Sequence, residues 1–340
     1  MQQIWIPKAG DPDVLELREA PDPTPAPGEL RIRVAAAGIN FADIMGRLGL
    51  YPDLPPMPVV VGYEVAGTVD AVGDGVDASW VGREVLGLCR FGGYSSLVCL
   101  PQIQVHALPE GMSLLEAAAI PVNYLTAYQL VEVMGGLKAH ETMLVHSAGG
   151  GVGIAATQLA KRIGARVIGT ASAGKHARLL EMGVDACIDY RTEDFELRVL
   201  ELTDGRGVEL ILDAVGGKSF TKGFRALAPT GRLGMFGMSS LATGRSSKIG
   251  TLIRALSGMP LFAFNPLRLM NENKAVFGVN MGHLWDEAAM VNTWLDRLLE
   301  YYSDGAIRPQ VDRSFTFDEA AAAHRYIQDR KNFGKVLLTP

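Results

Sequence analysis

Cysteine is scarce in this 340-residue chain, and the three present, Cys89, Cys99 and Cys187, lie far apart. An odd number at wide spacing excludes a disulfide framework and a cysteine-based metal cluster, and it fits a reducing, cytoplasmic setting. Long apolar runs are missing as well. The nearest, Thr251 to Leu269, is interrupted by Arg254, Pro260 and Arg268, so no integral membrane span is expected. The first residues, Met1-Gln2-Gln3-Ile4-Trp5-Ile6-Pro7, lack the basic region and apolar core of a signal peptide and read as a strand. Positive charge is not in excess: the formal net charge is −5, which excludes a general attraction to nucleic acid or anionic lipid. The six histidines are scattered and form no spaced pair, so no metal site is expected.

What is present is an ordinary globular composition, 48% hydrophobic and 20% charged. The length exceeds what one core usually serves and implies two domains. The first part is rich in strands and turns, with short runs at Leu30 to Val34, Glu64 to Val72 and Glu84 to Leu88. Pro21 to Gly28, four prolines in eight residues, reads as an extended connector. From about Tyr124 apolar strands alternate with helical segments, the pattern of a parallel sheet covered on both faces. Strands are expected near 142–148, 166–171, 185–190, 208–215, 231–238 and 275–280, six in all, the number of a doubly wound dinucleotide fold. After Trp285 come a helix, a stretch from Arg308, a helix at Phe317 to Asp329 and a last strand, Gly334 to Leu338, a tail suited to completing the first domain.

The strand Glu141 to Ser147 runs into Ala148-Gly149-Gly150-Gly151-Val152-Gly153 and then a helical stretch. Glycines at such a turn let backbone amides approach a pyrophosphate at a helix N-terminus; a tight strand-to-helix turn is the plainer reading, and the βαβ context favours the dinucleotide. An NAD site places Asp or Glu roughly 20 residues further on, to hold the ribose diol. This chain has Thr170-Ala-Ser172-Ala-Gly-Lys175 there, hydroxyls and a lysine that suit the 2′-phosphate of NADPH.

These blocks, together with Ala37-Gly-Ile-Asn-Phe-Ala-Asp43, Arg47-x-Gly49-x-Tyr51, Pro58 to Gly67, Ile188 to Asp194 and Gly334-Lys335-Val336, resemble the medium-chain dehydrogenase/reductase family along essentially the whole chain. Within it the chain resembles the zinc-free quinone oxidoreductases and their vesicle amine transport protein homologue branch, on Gly237 to Gly244, Asn273 to Gly278 and Lys331 to Pro340. The resemblance implies an α/β architecture: a GroES-like irregular β-barrel catalytic domain (1–123 and 283–340) plus a Rossmann six-stranded parallel sheet that binds NADPH (124–282). Zinc enzymes of the family carry Cys at Asn40 and His at Tyr63, and they carry a four-cysteine lobe absent here; without thiolate and imidazole the metal site is lost. By resemblance, Gly150, Gly151 and Val152 contact the pyrophosphate, and Ser172, Lys175, Tyr190 and Arg330 surround the 2′-phosphate, with Lys331 an alternative to Arg330. Asn40, Thr126, Phe236 and Asn280 line the nicotinamide side. A homodimer is implied through the Phe277 to Asn280 strand.

The chemistry implied is hydride transfer to a small apolar quinone or α,β-unsaturated carbonyl compound, in which negative charge grows on the carbonyl oxygen and a hydrogen-bond donor lowers the barrier. Asn40, Tyr51 and Tyr63 are the candidates, with Asn123 and Tyr124 behind them; Asn40 is expected to orient nicotinamide or substrate and Tyr51 to meet the substrate. Enoyl-thioester reductases of the family carry a tyrosine where Phe41 stands, so the proton donor they use is missing. His146 and the cysteines read as structural. Leu252 to Leu269 reads as a packed helix or interface, with a lid or lipid-contacting surface as the alternative. Two further functions stand beside the quinone or enone reductase: a reductase for one specialised metabolite, and a cofactor-binding protein that serves lipid or partner binding with little turnover.

Overall fold

The computed structural model describes residues 1–242 and 264–340. The chain divides into two compact units, Met1–Leu125 with Met281–Pro340, and Thr126–Asn280.

The first unit is built on a mixed sheet in which Val311–Thr316, Lys335–Thr339, Glu29–Gly38, Glu64–Val72, Glu84–Leu88 and Val105–Ala107 lie side by side, while Leu97–Pro101 pairs with Glu29–Gly38. The C-terminal tail therefore does enter this sheet, with Leu337 and Leu338 opposite Gly38 and Ala37. Alternation builds the core: Leu30, Ile32 and Val34 are buried while Arg31 and Arg33 point away toward Asp70. The N-terminal Gln2–Trp5 forms a hairpin-like pair with Glu16–Glu19. Phe41–Arg47 is a short helix started by Asp43, whose carboxylate accepts the Asn40 N–H at 2.7 Å.

In the second unit a six-stranded, all-parallel sheet has the order Ala186–Asp189, Arg166–Ala171, Thr142–Val145, Val208–Asp213, Leu227–Met235, Ala275–Gly278. Chain order reverses between the third and fourth strands of that row. In an open α/β sheet the ligand crevice lies outside the carboxyl ends of the strands at such a point. Apolar strand residues such as Leu144, Ile168, Ile188 and Ile211 are fully buried, as a sheet covered on both faces requires.

Four of the six strands, Thr142–Val145, Val208–Asp213, Leu227–Met235 and Ala275–Gly278, end two or three residues before the expected positions, and the fifth also starts early. The fifth strand starts at Leu227, not 231, because the ladder jumps from Val208↔Leu227 to Leu210↔Arg232, and this irregularity absorbs Pro229 and the left-handed Thr230 (φ 66°). It ends at Met235, not 238, because the following chain turns back on the loop after Asp213: Ser239 and Ser240 donate to the carbonyls of Ala214 and Val215. Of the apolar stretch Leu252 to Leu269, residues 252–263 lie outside the described residues; Pro266–Glu272 is helical, with Leu267 and Met270 exposed.

Candidate functional site

The glycine turn of the second unit is shaped for an anion. Ser147 takes a left-handed conformation (φ 56°), and Gly150 caps the thirteen-residue helix Gly151–Ile163. The first amides of an α-helix have no carbonyl partner in the helix and carry the positive end of its dipole. A Cβ on Gly153 would lie 2.5 Å from the Ser147 carbonyl oxygen and 2.7 Å from the Ala148 Cα, so only glycine lets helix and turn approach this closely. Gly150, Gly151 and Val152 are half-buried at this turn.

Beside it, strand Arg166–Ala171 ends at Ser172, followed by a 3-10 turn, Ala173–Lys175. Asp189 pairs with Ala171, which brings Tyr190 alongside Ser172 at the same end of the sheet. Tyr190 is partly exposed, with the Arg191 guanidinium 5.9 Å from its ring centroid. No carboxylate stands between Arg166 and Lys175, so nothing there repels a phosphate. Phe236 and Asn280 follow the fifth and sixth strands at the same carboxyl edge: the Phe236 amide donates to the Asp213 carbonyl, and Met235 pairs with Gly278. Thr126 is buried in the helix Pro121–Tyr128. Arg330 belongs to the first unit, in a left-handed conformation (φ 57°) after the helix Ala320–Gln328. The glycine turn and the carboxylate-free end of strand Arg166–Ala171, both in the second unit, fit a dinucleotide.

Sequence reading took His146 as structural, and the structure shows what it holds. His146 Nδ1 and Thr170 Oγ1 share a hydrogen bond of 3.0 Å, and the Ser147 N–H also reaches that hydroxyl at 3.4 Å. Asp213 Oδ1 accepts the amides of Val215 and Gly216, and Oδ2 stands 4.0 Å from His146 Nε2. Burial keeps His146 below its ordinary pKa. The His146 ring thus bonds to the neighbouring strand at Thr170, while Asp213 holds the loop that follows its own strand.

In the first unit the expected catalytic residues fall into two groups. Asn40 is 8% exposed, and both ends of its amide are occupied: Nδ2 donates to Glu64 Oε1 at 2.8 Å and Oδ1 accepts from Lys335 Nζ at 2.7 Å. Lys335 is also ion-paired with Glu64, both buried, and Glu64 Oε2 accepts the Val122 amide at 2.8 Å. Burial pushes the Asp43 carboxyl up to about 7, opposed by the Asn40 amide and then by Lys335. Sequence reading assigned no role to Glu64 or Lys335; each is an unremarkable charge until a strand from the far end of the chain brings them together.

Tyr63, Tyr51 and Phe91 form the second group. The Tyr63 ring meets Tyr51 edge-on with centroids 6.2 Å apart and Phe91 at 5.3 Å. The Tyr63 hydroxyl is buried beside that of Tyr51 and makes no hydrogen bond of good geometry among the described residues. Burial raises the pKa of both tyrosines, with Asp43 adding to the effect on Tyr63 and Asp53 on Tyr51, so each hydroxyl keeps its proton at neutral pH. Asn123 and Tyr124 are buried in the helix Pro121–Tyr128. Phe41 is partly exposed and has no proton to give.

Zinc does not fit this donor set. An amide and a phenol stand where thiolate and imidazole would be needed, and the Lys335 ammonium next to Asn40 repels a dication. Among the described residues, no group of three His, Cys, Asp or Glu is placed to hold a metal ion.

Comparison with known proteins agrees with this architecture. The family described as alcohol dehydrogenase GroES-like domain matches residues 26–110, and that described as zinc-binding dehydrogenase matches residues 182–338. A synaptic vesicle membrane protein VAT-1 homolog from Mus musculus is 42% identical over 96% of this chain and 80% of its own length. A quinone oxidoreductase from Pseudomonas aeruginosa is 35% identical over 100% of this chain and 99% of its own. The crystal structure of Escherichia coli quinone oxidoreductase complexed with NADPH superposes with a TM-score of 0.87 at 30% identity, covering 100% of both chains. The chain is thus an α/β oxidoreductase with a GroES-like unit and a Rossmann-type sheet, and it belongs to the medium-chain dehydrogenase/reductase family.

Proposed function

We propose that this protein is a zinc-independent, NADPH-dependent reductase that passes hydride to a quinone or an α,β-unsaturated carbonyl compound. The observation that carries this reading is the Tyr63 hydroxyl: a buried, protonated donor that makes no well-formed hydrogen bond among the described residues, set among aromatic rings beside the Tyr51 hydroxyl. Buried donors are nearly always paired, so an orphan one marks the place of a missing acceptor. A substrate carbonyl oxygen, which gains negative charge as hydride arrives, meets that need.

Bound NADPH supplies the hydride. The helix N-terminus at Gly150, Gly151 and Val152 holds the pyrophosphate. Ser172, Lys175, Tyr190 and Arg330 hold the 2′-phosphate, and Thr126, Phe236 and Asn280 flank the nicotinamide. Asn40 orients nicotinamide or substrate through its amide, Tyr51 packs on a planar apolar substrate, and Tyr63 donates to the carbonyl oxygen. Solvent returns the proton to a quinol or enolate, so the absence of a hydroxyl at Phe41 is no obstacle. Support for NADPH comes from Ser172 and Lys175 after the second strand and from the E. coli relative that binds it.

The test is oxidation of NADPH, followed by loss of its absorbance, with 1,4-benzoquinone, 9,10-phenanthrenequinone and a simple enone as acceptors. Enzyme-dependent turnover preferring NADPH to NADH is expected. Saturable NADPH binding without turnover of any acceptor would refute the reading. Among the described residues the edge strand Ala275–Gly278 has one unpaired side, and pairing with a second copy makes the protein a dimer, which sedimentation tests.

A second reading follows from the 42% identical relative named as a vesicle membrane protein: association with a membrane surface. No described helix is long and apolar enough to cross a membrane. Co-sedimentation with liposomes separates this reading from the first.

A further inference from the structure

We infer that Lys335 and Glu64 are positioning residues for hydride transfer, acting together through the amide of Asn40. The inference rests on the reading of Asn40 as the residue that orients nicotinamide or substrate.

The two charges bracket the amide. Lys335 Nζ sits at the oxygen end and Glu64 Oε1 at the nitrogen end, at 2.7 and 2.8 Å. A flipped amide would set its NH2 against an ammonium and its oxygen against a carboxylate, so the pair dictates one orientation. The bracket is itself held. Glu64 is fixed by the Val122 amide, and the Asn40 backbone is fixed by Asp43, whose other oxygen accepts the Gly62 amide at 3.0 Å. Gly38 leaves it no slack: a Cβ there would collide with Glu64 Oε1 and come within 2.6 Å of Lys335 Cε.

The bracket leaves one donor over. Asn40 Nδ2 carries two N–H bonds, and the one not given to Glu64 has only a 3.5 Å contact with the Gly38 carbonyl. An ammonium on the amide oxygen draws electron density from nitrogen and strengthens that N–H as a donor. Lys335 and Glu64 are 3% and 0% exposed, and a buried ion pair of this kind is a weak source of stability, so its presence asks for another role.

The test compares the parent protein, Asn40→Ala, the charge-free double variant Glu64→Gln/Lys335→Met and the triple combination. kcat and KM are measured for a quinone, and NADPH Kd by cofactor fluorescence. The double variant is expected to keep its NADPH Kd and to lose on the order of 10- to 100-fold in kcat. The triple variant is expected to be no slower than Asn40→Ala, because the charges act only through that amide. A parental kcat in the double variant, or losses that multiply in the triple, would overturn the inference. Glu64→Asp keeps both charges and withdraws the carboxylate by one methylene. It gives the same comparison if the double variant does not fold, with the same expected fall and the same absence of further loss beside Asn40→Ala. An unchanged kcat in Asn40→Ala refutes the underlying reading of Asn40 instead. A loss in Asn40→Ala with none in the charge variants refutes positioning alone.

Discussion

His324 is fully buried in the first unit, 3.3 Å from the Tyr94 hydroxyl through Nε2 and, among the described residues, with no hydrogen-bond partner on Nδ1. Burial, assisted by the nearby Arg47 guanidinium, pushes its pKa down to about 3 from an ordinary 6.5. A base with a depressed folded pKa binds fewer protons folded than unfolded, so its contribution to stability is complete above 6.5 and shrinks as pH falls toward 3. At pH 5 the unfolded imidazole is almost wholly protonated and the folded one is not. The cost relative to pH 7.5 is about 2 kcal/mol, and it hardly changes if the folded value shifts by a unit. All four tryptophans, Trp5, Trp80, Trp285 and Trp294, lie in the same unit, so urea unfolding followed by their emission reads the element that holds His324. Taking His324→Gln as the non-titrating reference cancels the carboxylates that titrate in both proteins. The wild type is expected to lose about 2 kcal/mol more than the variant between pH 7.5 and 5, a midpoint difference of roughly 1 M urea at a slope near 2 kcal/mol/M. Parallel losses in the two proteins would show that His324 is not held neutral by burial, and the argument would fall.

Tyr63→Phe separates function from stability. Deleting an unpaired buried hydroxyl should raise stability by about 1 kcal/mol or more, while kcat toward a quinone falls about 100-fold; a variant that loses both has been misread. Lys175→Ala should weaken NADPH binding about 10- to 100-fold and leave NADH binding nearly unchanged, as isothermal titration would show. Gly153→Val forces a side chain into the Ser147 carbonyl, so it should abolish saturable NADPH binding and destabilise the second unit by about 1–3 kcal/mol; retained binding would mean the turn can give way.

The second unit was legible almost strand by strand, because a fully buried parallel sheet writes itself as separate apolar runs between glycine-marked turns. Four strand ends were placed two or three residues too late, and the start at Leu227–Ala228 was missed because a ladder irregularity had made room for a proline that normally ends a strand. In the first unit Glu64–Val72 and Glu84–Leu88 match the expected runs, since short β-branched and apolar stretches stand there between glycine- and proline-marked turns. The buried charges were not legible. Glu64, Lys335 and Asn40 are adjacent only after the last strand pairs with Glu29–Gly38, and no local spacing records that event. The same holds for His146 and Asp213, whose proximity follows from neighbouring parallel strands. Asn40 was expected to orient nicotinamide or substrate, and the fold shows its amide engaged at both ends by Glu64 and Lys335.

The most direct test of the central claim is quinone-dependent oxidation of NADPH by protein dialysed against a strong chelator and assayed with and without added zinc. The account predicts undiminished turnover without metal, with no gain on adding zinc. Turnover that disappears on chelation and returns with zinc would contradict it.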